Sequence, residues 1–124
     1  MDLIIGGAYQ GKLDYAKERF GLTDGDCFDL ALGDPEAPCK CFYHFEALTE
    51  SAAAQGADID RFVNAFTKLA SRSAVISREI GSGIVPMDEK QRYWREFHGM
   101  ALSRLAKSAD SVTRIFCGLE EVLK

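Results

Sequence analysis

Leu3-Ile4-Ile5-Gly6-Gly7-Ala8-Tyr9-Gln10-Gly11-Lys12-Leu13 is the stretch that decides how the remainder of the chain is read. Three apolar residues make a short strand, and glycines then let the backbone curl tightly before Lys12. The order G-x-x-x-x-G-K is that of a phosphate-binding P-loop. There the backbone N–H groups cradle phosphate oxygens, the lysine reaches the β- and γ-phosphates, and a Ser or Thr hydroxyl holds Mg²⁺. Gly6, Gly7, Ala8, Tyr9, Gln10, Gly11, Lys12 and Leu13 are therefore the nucleotide-binding candidates. Leu13 occupies the place of the hydroxyl and removes one expected metal ligand.

The flanks support this reading. Leu13, Ala16 and Phe20 recur at helical spacing, with Asp14, Lys17, Glu18 and Arg19 on the other face. Strand, glycine loop and helix in that order point a helix N-terminus at an anion. Further along, Cys27–Leu32 alternates weakly, as an edge strand would, and Gly33–Pro38 interrupts regular structure. Cys41-Phe42-Tyr43-His44-Phe45 is a near-continuous apolar run expected of a buried parallel strand, ending at Glu46. Ser51–Gly56 has the composition of a short helix or loop.

Ile59, Phe62, Val63, Phe66, Leu69 and Ala70 form a helical stripe with Asp58 or Asp60 near its start. Ser73–Ser77 is the next strand, followed by Gly81-Ser82-Gly83 and Pro86. Trp94, Phe97, Ala101 and Leu105 mark a long helix with Asp88 as its cap, and Ser111–Cys117 is a last strand ended by Gly118. Strands alternating with helices predict an α/β fold with a mostly parallel central sheet and helices on both faces. All 124 residues are expected to form a single domain.

In such a sheet, ligands sit beyond the carboxyl ends of the strands. Glu46 and Glu79 both fall there. Either could organise Mg²⁺ beside a P-loop, Glu46 being the favoured metal ligand, or could be a solvated strand-end acid or helix cap. Lys12, Glu46 and Glu79 are the catalytic candidates. His44 precedes Glu46 by two residues on the same expected strand face, as a nucleophile, a base or, preferentially, a hydrogen-bonded core histidine. His98 is read as a boundary residue. Arg92 and Arg95, at i and i+3, could meet a phosphate or form a solvated basic face.

Composition excludes several classes. A net charge of −4 and a pI near 5.1 are opposite to what a nucleic-acid surface requires. No apolar run approaches a membrane span, and Met1-Asp2 enters a strand without a basic leader, so a cytoplasmic protein is expected. Cys39-x-Cys41-x-x-His44 fits the spacing of a zinc site poorly, which leaves a metal or redox protein as the minor alternative to Cys27, Cys39, Cys41 and Cys117 as buried free thiols.

Three stretches together resemble the bifunctional adenosylcobinamide kinase/adenosylcobinamide-phosphate guanylyltransferase family of cobalamin synthesis. They are Ile4–Lys12, Ser77-Arg78-Glu79-Ile80-Gly81-Ser82-Gly83-Ile84-Val85-Pro86, and the helix carrying Arg92, Arg95, Gly99, Leu105, Ala106 and Asp110. Phe45–Thr49 is a weaker fourth match. The resemblance implies a three-layer P-loop-type fold, ATP or GTP as substrate, a corrinoid acceptor and a homo-oligomer. It also implies GMP transfer through a histidine, but Gly21–Lys40 is short and lacks histidine where the family carries one. Arg78 and Leu102 replace asparagines of the family pattern. Two readings follow: a P-loop kinase-like phosphotransferase acting on a cobinamide-like alcohol without the guanylyl step, or a catalytically inactive binding protein that keeps the fold.

Overall fold

A computed structural model describes residues 1–8, 10–79 and 88–124. Tyr9 and the glycine-rich signature over 80–87, with Gly81, Ser82, Gly83 and Pro86, lie outside the described residues. The described elements run β1 (Asp2–Gly6), α1 (Lys12–Phe20), β2 (Cys27–Asp29), β3 (Cys41–Tyr43), α2 (Phe45–Ala54), α3 (Ile59–Leu69), β4 (Ala74–Arg78), α4 (Glu89–Ser108), β5 (Ser111–Phe116) and β6 (Leu119–Val122). One sheet orders the strands β2-β3-β4-β1-β5-β6. Its first five strands are parallel, and β6 returns antiparallel to β5.

The period-2 alternation of the strands splits the core into two layers. Leu3, Phe42, Val75 and Val112 point to one face, where they meet Phe45 and Leu48 of α2, Val63 and Phe66 of α3, and Ala101 and Leu105 of α4. Ile4, Cys41, Ile76 and Ile115 point to the other, where Ala16, Leu13 and Phe20 of α1 cover them. This is the expected three-layer α/β architecture. Edge-on contacts of Phe42 with Phe28 and Phe66 fill the first layer, and each fully buried phenylalanine contributes about 1.5–3 kcal/mol. Asp58 caps α3 by accepting from Arg61 N at 3.0 Å, and Asp88 caps α4 by accepting from Gln91 N at 2.8 Å.

Three expectations are corrected. The aromatic strand stops at Tyr43, because His44 adopts a left-handed backbone (φ 61°) and turns the chain into α2. Phe45, Leu48 and Ala53 then recur at helical spacing toward the core, so Glu46 lies in a helix rather than at the end of the strand, and the Ser51–Gly56 region mostly continues that helix. The last strand is followed by a further one. Cys117 and Gly118 both have positive φ (51° and 75°), the two-residue turn that closes a hairpin between Phe116 and Leu119. Finally, His98 is 1% exposed and buried in the core, not a boundary residue. Among the described residues no helix is long and apolar enough to cross a membrane.

Candidate active site

The loop after β1 is shaped by two glycines. A Cβ on Gly6 would lie 2.6 Å from the carbonyl oxygen of Ile115, on the neighbouring strand. Gly11 has φ 78° and forms the N-cap of α1 without a side-chain cap, so the first-turn N–H groups of α1 face outward. Two links tie this region to the hairpin missed in the sequence. Gln10 Oε1 accepts from Cys117 N at 2.6 Å, and the Tyr15 hydroxyl donates to Glu120.

Beyond the carboxyl ends of β1, β3 and β4 lies a cavity of about 650 Å³. Its position follows from topology. The chain leaves β1 toward α1 on one face and leaves β3 toward α2 on the other, which opens a crevice between them. Ala8, Gln10, Gly11, Lys12 and Leu13 form one wall, and Tyr43, His44, Glu46, Ile76 and Arg78 form the opposite one.

Lys12 Nζ donates to the carbonyl of Gly7 at 2.6 Å, bridging its own loop. Burial lowers its pKa from the ordinary lysine value. The Glu46 and Glu79 carboxylates oppose that shift, and Arg78 adds to it. Glu46 is 9% exposed. Its Oε1 accepts from Arg78 N at 3.1 Å, whereas Oε2 is buried with no hydrogen-bond partner among the described residues. A buried carboxylate oxygen without a partner costs of order 1–3 kcal/mol or more, a cost that a bound cation or donor would relieve. One buried carboxylate beside a lysine fits Mg²⁺, which is commonly held by one or two carboxylates, water and substrate phosphates.

Lys12 and Glu46 are thus brought together, with His44 and the loop residues Ala8, Gln10 and Gly11 lining the same cavity, whereas Glu79, Arg92 and Arg95 do not line it. The Glu79 backbone N–H donates to Gly6 O at 2.9 Å, but its carboxylate turns to β5, where Arg114 Nε lies 3.3 Å away. Arg92 and Arg95 lie on α4, the first exposed and the second half-buried, and neither lines the cavity. Leu13 lines it only partly, because its side chain packs onto the core beneath α1. His44 is half exposed, 51% by side chain, rather than a core residue, and its Nδ1 lies 2.7 Å from Asp29 Oδ1. Among the described residues no group of three or more His, Cys, Asp or Glu side chains could hold a metal by itself. All four cysteines are free, and burial with Cys27 alongside pushes the Cys41 thiol up to about 12.

Sequence reasoning missed Asp29, Arg114 and the role of His98. Asp29 ends a parallel strand, and the rule that selected Glu46 applies equally to it. His98 falls on the stripe Trp94, His98, Ala101, Leu105, spaced 4-3-4, which marks it as an inward position. It joins a buried network in which Thr49 Oγ1 lies 2.8 Å from His98 Nδ1 and accepts from Trp94 Nε1 at 3.1 Å. His98 Nε2 lies 3.0 Å from Arg78 O. This network fixes the end of β4 and the first turns of α2, and so the wall that carries Glu46.

Comparison with the curated proteins finds no match to the chain. The family model described as cobinamide kinase / cobinamide phosphate guanyltransferase matches residues 40–123. That span begins at the approach to β3, beyond the glycine loop, and takes in the Glu46 wall, β4, α4 and the terminal hairpin. With that match over two thirds of its length, the chain belongs to the cobinamide kinase / cobinamide phosphate guanyltransferase family.

Proposed function

We propose that the chain binds ATP or GTP with its phosphates along Gly6–Lys12 and passes the γ-phosphoryl group to a hydroxyl of a cobinamide-like corrinoid. The observation that carries this reading is the meeting of Lys12 with the partnerless Glu46 Oε2 in one cavity. Loop amides and the uncapped first turn of α1 supply donors for phosphate oxygens. Lys12 would exchange the Gly7 carbonyl for the phosphates and offset the charge that develops on the leaving diphosphate. The acceptor oxygen forms a bond to the γ-phosphorus as the bond to the β,γ-bridging oxygen breaks, with the hydroxyl proton released to water, a reaction governed by positioning and electrostatics. A divalent cation, when bound, would neutralise further phosphate charge, with Glu46 as its protein ligand. Guanylyl transfer is not part of this reading. Self-assembly and a cytoplasmic setting are expected with it.

One observation favours the second reading, nucleotide binding without transfer: Leu13 is committed to the core beneath α1 and offers no oxygen to a metal. Thermal shift with ATP and GTP, with and without Mg²⁺, tests binding. Nucleotide at about a hundred times its Kd should stabilise by about 2.7 kcal/mol, and Lys12→Ala should abolish the shift. Phosphorylation of cobinamide then separates the two readings. A shift that survives in Lys12→Ala overturns the role of the loop.

A further inference from the structure

The His44–Asp29 pair lies on the cavity wall opposite the glycine loop, and its geometry gives it a task of its own. Asp29 Oδ1 accepts from Ala31 N at 2.9 Å as well as meeting His44 Nδ1 at 2.7 Å, so the carboxylate is fixed by the backbone before it orients the ring. Tyr43 packs beside the imidazole, with ring centroids 4.7 Å apart. His44 itself is held in a left-handed conformation, which disfavours side chains with a Cβ. In the tautomer that gives Nδ1–H to Asp29, the ring presents a bare Nε2 lone pair. No hydrogen bond to Nε2 occurs among the described residues, and the half-exposed ring lines the same cavity as Lys12.

The cavity therefore has two chemically distinct ends. On the loop side, Lys12 and the amides of the loop and α1 offer donors, the chemistry that recognises phosphate. On the opposite wall, beside Glu46 and Arg78, His44 offers an acceptor, which attracts an O–H. We infer that His44, oriented by Asp29, accepts a hydrogen bond from the acceptor alcohol and positions its oxygen toward the γ-phosphate. This rests on the phosphotransfer reading above and extends it by assigning the alcohol half of the site. His44 is on this view a positioning residue for the acceptor, with no share in nucleotide affinity.

The test uses the whole chain with ¹⁵N-labelled histidine, ATP or GTP, and cobinamide as the alcohol probe. The imidazole spectrum should place the proton on Nδ1, and the Nε2 resonance should move on adding cobinamide but not on adding nucleotide alone. His44→Asn tolerates the left-handed backbone and can still donate to Asp29, but it lacks the outer acceptor. It should weaken cobinamide binding, or raise its KM, by tenfold or more while leaving the Lys12-dependent nucleotide shift unchanged. A proton on Nε2, a response of Nε2 to nucleotide alone, or a cobinamide affinity within twofold of wild type in His44→Asn would each overturn the assignment. So would absence of any cobinamide binding. The nucleotide shift in the same samples shows whether the phosphate half of the reading stands without it.

Discussion

Replacing Thr49 by valine tests the buried network behind the Glu46 wall with little change of shape. The side chain is fully buried, and valine replaces its hydroxyl with a methyl group of similar size. His98 Nε2 faces the Arg78 carbonyl, which can only accept, so the ring proton is assigned to Nε2 and the single hydroxyl proton of Thr49 is assigned to Nδ1 at 2.8 Å, with the Glu46 carbonyl at 3.0 Å as its competing acceptor. Valine leaves that Nδ1 without a partner in the core, at about 1–3 kcal/mol. Trp94 Nε1 also loses its acceptor. Because Trp94 is only half-buried, water can replace that bond, and the further loss is about 0.5–1 kcal/mol. The total, about 1.5–4 kcal/mol, is a large part of the 5–15 kcal/mol typical of a domain. Urea unfolding followed by tryptophan fluorescence and far-ultraviolet circular dichroism should show a lower midpoint at an unchanged slope. Tm should fall by roughly 6–15 °C. Thr49→Ser keeps the hydroxyl and loses a methyl group, and should cost about 0.5–1.5 kcal/mol. A Thr49→Val loss below about 0.5 kcal/mol, or one no larger than that of Thr49→Ser, would refute the assigned network.

The same histidine predicts a pH dependence. Burial lowers the His98 pKa in the folded chain, partly offset by the Arg78 carbonyl and Glu46, so the unfolded chain binds the proton first as pH falls. Stability should therefore be full above about pH 6.5 and decline below it until the folded-state pKa is passed, with a slope of at most about 1.4 kcal/mol per pH unit. Denaturation at several pH values should show this slope in wild type and its loss in His98→Gln. Gly6→Ala forces a Cβ to within 2.6 Å of the Ile115 carbonyl and should destabilise by about 1–3 kcal/mol; an unchanged urea midpoint would contradict the close approach of β1 and β5. Asp58→Ala removes the cap on Arg61 N and should cost about 1 kcal/mol by thermal denaturation, without altering nucleotide response.

Much of this protein is local in origin. The strand and glycine loop at its start, the stripe of α3, the caps at Asp58 and Asp88, and the alternation of strands with helices follow from spacing and turn chemistry within a few residues. Those features predict a three-layer α/β fold and place Lys12 and Glu46 at the same end of the sheet. The end of β3 was not legible, because Phe45 is as apolar as a strand residue and only the left-handed turn at His44 assigns it to a helix. The terminal hairpin was hidden for a similar reason. Gly118 reads equally as the end of a strand or as half of a two-residue turn, and the choice is made by pairing with β5.

The candidate site shows the same division. From sequence alone, Glu46 and Glu79 are equivalent strand-end acids, and His44 and His98 are respectively an inward and a boundary histidine. Packing reverses the histidines and separates the acids. Arg114, thirty-five residues beyond Glu79, draws that carboxylate to β5, while Glu46 is left buried against Arg78 N with one oxygen unpartnered. Asp29, fifteen residues before His44, meets its Nδ1 and so orients a ring that lies in the turn after β3. The sequence by itself determines which backbone segments form strands and helices and where phosphate donors can gather, since propensity, periodicity and glycine geometry act over a few residues. Only the tertiary structure decides which charge faces which, because burial and Coulombic pairing depend on distances between strands that no local pattern encodes.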